Sequence, residues 1–121
     1  MGGGPGSLRV EQGVKEDVMA VKVVIERSVS ADNQGEVAEL LKDLRAKAVH
    51  QPGYVSGETW FSVDRPGTHL VISTWESLRE WKAWERDPDR IKLVKRIEQL
   101  LAASSKVAVY ATTPRSIAEG V

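Results

Sequence analysis

The stretch "AVKVVIERSV", Ala20 to Val29, constrains the fold more than any other part of the chain. It is dense in β-branched residues, which suit an extended backbone. Alternate side chains of a strand point to opposite faces. Val21, Val23 and Ile25 therefore share one face, and Val24 joins Lys22, Glu26 and Ser28 on the other. Apolar residues on both faces imply a strand covered from both sides.

The period then changes. Val37, Leu40, Leu41, Leu44 and Ala48 follow the spacing of an amphipathic helix. Asn33 is its expected cap, Glu36 completes a capping box, and "QPG" at Gln51–Gly53 ends it. Tyr54–Val63 and Thr68–Trp75 read as a hairpin turning at Asp64–Gly67. Ser77 and Glu80 form a second capping box at the head of a short helix. Asp87 and Pro88 end that helix and open another, with Ile91, Val94, Ile97 and Leu101 on its expected inner face. Lys106–Thr113 is the last strand.

The order β-α-β-β-α(α)-β predicts an α+β fold, a ferredoxin-like βαββαβ sheet with helices on one face. The other face, to which Val21, Val23 and Ile25 are assigned, is too apolar to stay in water. A second copy of the chain is the simplest cover. The expected assembly is a homodimer, a dimeric α+β barrel with its helices outside.

Composition narrows the function classes. Lys+Arg and Asp+Glu number 17 each, which speaks against a nucleic-acid partner. Cysteine is absent, so thiolate chemistry is excluded. Two histidines, His50 and His69, are too few for a protein-built zinc site, and no metal is expected. No apolar run approaches membrane-spanning length, so no membrane partner is expected. Residues 1–18 are Gly-rich and read as a flexible N-terminal tail, with Met19 as a possible native start. Residues 19–113 form the expected domain and 114–121 a C-terminal tail. With no signal-peptide pattern after Met1, the expected location is cytoplasmic.

"VISTWESLREWKAWERDPDRI", preceded by "QPGYVSGETWF" and followed by "VAVYAT", resembles the antibiotic biosynthesis monooxygenase family over roughly Val21 to Thr112. The most specific part is "TWES…EWKAW". The resemblance implies dimeric α+β barrels. Members include cofactor-free oxygenases of polycyclic aromatic compounds, haem-degrading enzymes and an isomerase of a small phosphorylated compound. Matched to the haem-degrading pattern, the functional tryptophan falls on Trp84, the asparagine on Glu26 and the haem-ligating histidine on Val94. No histidine lies anywhere in Trp84–Val121, so haem ligation by that scheme has no ligand.

Three of four tryptophans fall within ten positions, at Trp75, Trp81 and Trp84. Trp81 and Trp84 share a helical face with Leu78. Trp75 and Trp81 read as packing; Trp84 reads as core or, through the resemblance, as the wall of a cleft that stacks on a flat ligand. Glu26, mid-strand, is either a general base in a cleft or a salt-bridge partner of Lys22 or Arg27 on a wet edge. Glu58 and Trp60 are assigned one face with Tyr54 and Ser56, and His69 one face with Val71, Ser73 and Trp75. His69, Tyr110 and Arg27 are candidate polar helpers. "ERDPDR" and "KDLRAK" read as solvated charge runs.

The expected function is a cofactor-independent monooxygenase acting on a planar aromatic or enolisable small molecule. Its catalytic residues are Glu26, Trp84 and His69, with Arg27, Glu58, Trp60 and Tyr110 binding the ligand. The alternatives are a dimer that binds haem or a quinone-like molecule without turnover, and a haem-degrading relative lacking the usual histidine. A third is a dimer whose core is closed by Trp81, Trp84 and Leu93.

Overall fold

The structure, a computed structural model, describes residues 19–111. The two tails and the end of the last expected strand lie outside them. Strand β1 (Val21–Ser28) leads through a 3₁₀ turn (Ala31–Asn33) into helix α1 (Gln34–Ala48). The hairpin β2 (Tyr54–Phe61) and β3 (Thr68–Trp75) follows, then helices α2 (Leu78–Glu85) and α3 (Pro88–Gln99), and strand β4 (Lys106–Ala111). The sheet is antiparallel in the order β2-β3-β1-β4, the ferredoxin-like arrangement.

The helix ends show which local signals act. Ser77 Oγ accepts from Glu80 N at 3.4 Å and donates to Glu80 Oε1 at 3.3 Å, so the serine cap of the second helix forms, with the Glu80 carboxylate meeting its hydroxyl. Asp87 Oδ1 accepts from Asp89 N at 2.9 Å, with Pro88 in the first turn. The first expected cap does not form. Asn33 is drawn into the 3₁₀ turn, where its N–H donates to Ser30 O at 3.0 Å. Its side-chain Nδ2 donates to Leu100 O at 3.1 Å and ties the start of α1 to the end of α3.

The faces of β1 are opposite to expectation. Val21, Val23 and Ile25 are 3%, 0% and 6% exposed and belong to one apolar core with Leu40, Leu44, Trp81 and Ile97 of the helices. The chain's own helices cover this row. The uncovered face carries Lys22, Val24, Glu26 and Ser28 of β1 with their cross-strand partners Leu70, Ile72 and Thr74. Lys22 Nζ donates there to Thr74 Oγ1 at 2.7 Å.

Two further expectations shift. A β-bulge lies between Tyr54 and Ser56, where Tyr54 pairs with Trp75 and Ser56 with Thr74. The extra residue turns Tyr54 to the helix side, while Ser56, Glu58 and Trp60 stay on the open side. On α3, Ile91 is 51% exposed, and Arg90 takes the inner position one turn pair before Ile97. Arg90 thus leaves the solvated run to which the sequence assigned it. Its aliphatic stem can serve as apolar cover while its head finds polar contacts.

Candidate functional site

The helix-facing side of the sheet forms rows of cross-strand neighbours. Phe61, His69 and Arg27 make one row, and Thr59, Val71 and Ile25 the next. Gly57, Ser73 and Val23 follow, then Tyr54, Trp75 and Val21. Against the β2 end of these rows the helices do not close down. A cavity of about 220 Å³ remains between the sheet, α1 and α2.

Its walls are mostly apolar. Leu41, Leu44 and Ala48 of α1 face Trp75 of β3 and Trp81 and Trp84 of α2. Tyr54 meets Trp75 edge-on at 5.4 Å between centroids, and Trp75 meets Trp81 at 5.8 Å. The three tryptophans are 1%, 3% and 4% exposed, so they form a rigid aromatic wall. The core is therefore not closed by Trp81 and Trp84. Gly57 makes room on the β2 side, since a Cβ there would collide with the Tyr54 hydroxyl. A second cavity of about 480 Å³ adjoins the first at Leu41 and Thr59 and is bounded by Phe61, Gly67 and His69.

Three basic side chains are buried beside these spaces. Arg90 is satisfied: its guanidinium lies 5.0 Å from the Trp81 ring centroid, and Nη1 donates to Glu85 O at 3.4 Å. Burial lowers its pKa, opposed by Glu85. Arg27 is 2% exposed, and its Nε has no hydrogen-bond partner among the described residues. Burial, helped by the charge of Arg90 and opposed by Glu98, lowers its pKa to about 10, so it remains a cation at neutral pH. His69, stacked on Phe61 at 5.7 Å, is 7% exposed, and its Nδ1 also lacks a partner among the described residues. Burial and the nearby Arg27 cation lower its pKa, so it is neutral at pH 7.

The sequence-predicted residues divide between the two faces of the sheet. Trp84 and Arg27 line the first cavity and His69 the second. Glu58 borders the first cavity from the edge strand, but its carboxylate accepts from Trp60 Nε1 at 2.6 Å. Trp60 and Tyr110 are 59% and 60% exposed. Both belong to the open face, as does Glu26. Glu26 Oε2 lies 3.7 Å from Arg65 Nη1 of the hairpin loop, in place of the expected Lys22 or Arg27. Glu26 and Trp84 therefore stand on opposite sides of the sheet. Sequence reasoning missed Tyr54, Arg90 and the cavity-lining roles of Trp75 and Trp81. The spacing of Arg90 to Ile97, two helical turns, was the available signal for Arg90.

The sequence model of the antibiotic biosynthesis monooxygenase family matches residues 20–96. The chain belongs to that family. Protein SchA of Streptomyces halstedii is 27% identical over 82 residues, 68% of this chain. Those residues are 22% of SchA, so the chain spans about a fifth of the length of that curated relative. Among solved structures, a conserved protein from Methanosarcina mazei superposes with a TM-score of 0.74 at 14% identity, covering 81% of this chain and 97% of that one. SnoaB, a cofactor-independent oxygenase from Streptomyces nogalater, superposes with a TM-score of 0.68 at 18% identity, covering 79% and 93%. At these identities the superpositions speak for the fold.

Proposed function

We propose that the protein is a cofactor-independent monooxygenase whose substrate is a planar aromatic or enolisable small molecule held in the Trp75–Trp81–Trp84 cavity. The observation that carries this reading is the cavity itself: a largely apolar space of about 220 Å³, walled by three tryptophans and adjoining the space that holds neutral His69, whose Nδ1 has no partner among the described residues. Flat rings stack on indole faces, and the rigid wall costs little ordering on binding.

The chemistry asks little of the protein. Removal of a proton from an activated CH₂ gives a carbanion. The carbanion reduces dioxygen and combines with it to a peroxide, which loses water to leave a ketone. One oxygen atom enters the product and the other leaves as water, so no further reductant is required. His69, on the wall of the adjoining cavity, is assigned the role of base toward a substrate that extends past Leu41 and Thr59, because it is neutral at pH 7 and its Nδ1 has no partner among the described residues. Trp84 is the stacking wall. Glu26, on the far face, is assigned to the open side of the sheet, where Trp60, Glu58 and Tyr110 also stand.

That open face supports a homodimer. Val24, Leu70 and Ile72 form its half-buried centre, and Trp60 and Tyr110 are largely bare. Two such faces pressed together would give an α+β barrel with both cavities outside the joint.

Oxygen uptake with a panel of anthrones and quinols, without added metal or cofactor, tests the activity. The expected result is turnover by the wild type and its loss in His69→Gln with binding retained. Binding without uptake in both proteins would identify a non-catalytic binding module instead.

A further inference from the structure

Arg27 is the least explained charge in the described structure. It sits at the end of β1, 2% exposed, with the Nε proton unpaired among the described residues. It belongs to neither of the described salt bridges, Lys47–Asp89 and Arg65–Glu26. Among the described residues the carboxylate that favours its charge, Glu98, is engaged elsewhere: its two oxygens accept from the backbone N–H and the hydroxyl of Ser105. Its other neighbours make matters worse, since Arg90 repels it and neutral His69 offers no charge. An unpaired buried cation is costly, and such a group is retained in a fold only where something offsets the cost.

The geometry points to a substrate that carries a carboxylate, with Arg27 as its anchor. Resting on the reading of the cavity as the substrate site, we infer that the ligand is an aromatic carboxylate: a flat ring system against the tryptophans and an acid group against the Arg27 guanidinium. Three observations converge. Arg27 lines the same cavity as Trp75, Trp81 and Trp84, so one molecule can touch both. A guanidinium is a planar fork that matches a carboxylate with two parallel hydrogen bonds. Arg90 is already committed to the Trp81 ring and the Glu85 carbonyl, and the other two cations on the cavity wall, Lys42 and Arg45, are exposed to solvent. Among the described residues Arg27 is therefore the buried cation of the cavity whose Nε proton lacks a partner. The anchor also fixes the end of the molecule that cannot react, which orients the rest along the wall.

The test compares two probes of like shape, 2-naphthoate and the neutral 2-naphthalenemethanol, titrated by calorimetry into the full-length protein at pH 7. The wild type is expected to prefer the carboxylate by roughly tenfold or more, the worth of a charge-assisted hydrogen bond. Arg27→Gln should abolish the preference while leaving the alcohol's affinity unchanged. Arg27→Met, an apolar replacement of similar length, should do the same and melt at an equal or higher temperature, because it removes an unpaired buried charge. A merely structural arginine would show the opposite, a lower melting temperature. Equal affinities in the wild type, or a preference that survives both substitutions, would overturn the inference and leave the cavity reading intact. Failure of both probes to bind would overturn the cavity reading along with it.

Discussion

Trp84→Ala tests whether the aromatic wall borders a real space. Trp84 is 4% exposed, and a buried tryptophan removes about 150–250 Å² from water. At about 25 cal/mol per Å² that is ~4–6 kcal/mol. Truncations of this kind cost about 3–5 kcal/mol in well-packed cores. One side of this ring abuts the cavity, where partner atoms are already missing, so the cost belongs near the lower end, about 3 kcal/mol. Ile97→Ala provides the reference. Ile97 is 0% exposed and lines neither cavity, so losing its smaller side chain should cost a similar amount, within about 2–5 kcal/mol. Urea unfolding followed by circular dichroism, at one fixed protomer concentration, measures both. Added indole should refill the enlarged space and restore part of the loss in Trp84→Ala, and none in Ile97→Ala. A cost for Trp84→Ala well above 5 kcal/mol with no rescue by indole would refute the reasoning, since it would mean a filled core. A domain of this size has about 5–15 kcal/mol in total, so Trp84→Leu is the milder version of the same test.

Other consequences are equally open to measurement. The His69 pKa is lowered in the folded state, so the unfolded chain binds the proton more readily. Stability from this group is complete above about pH 6.5 and declines as the pH falls below that value. Melting temperature against pH should therefore slope less below about 6.5 in His69→Gln than in the wild type; identical slopes would contradict the assignment. Gly67 has φ +89°, and a Cβ there would overlap the Val29 carbonyl oxygen. Gly67→Ala should cost on the order of 1–3 kcal/mol in urea unfolding, and a neutral result would mean that the turn is built otherwise. Ile72→Lys places a charge at the centre of the open face and should convert a dimer to a monomer in light scattering. A wild type that is already monomeric at micromolar concentration would remove the dimer from the account.

The strands and helices are legible in the sequence because their signals are local. Alternation defines β1, and Ser77 with Glu80 and Asp87 with Pro88 mark two helix starts through contacts within one turn. Which face of β1 meets the helices is a different matter. Both faces are apolar, and alternation separates them without saying what each one touches. The bulge before Ser56 is hidden for a related reason, since one extra residue leaves a strand's composition unchanged while moving Tyr54 to the other side. The site was legible in part. Trp84 and Arg27 do line one cavity, but Glu26 is directed away from it by the strand's period. Arg90 was concealed by its neighbours: a charge run looks solvated until the helix turns one member inward over Trp81.

The four tryptophans supply the most direct test of the central claim, that small molecules bind between helices and sheet. Trp75, Trp81 and Trp84 wall the cavity, while Trp60 stands on the open face with its Nε1–H bonded to Glu58. Titration of a hydroxyanthrone under argon, followed through the indole N–H resonances, should move the signals of Trp75, Trp81 and Trp84 and leave that of Trp60 in place. A shift confined to Trp60 would put the ligand on the wrong side of the sheet and contradict the account.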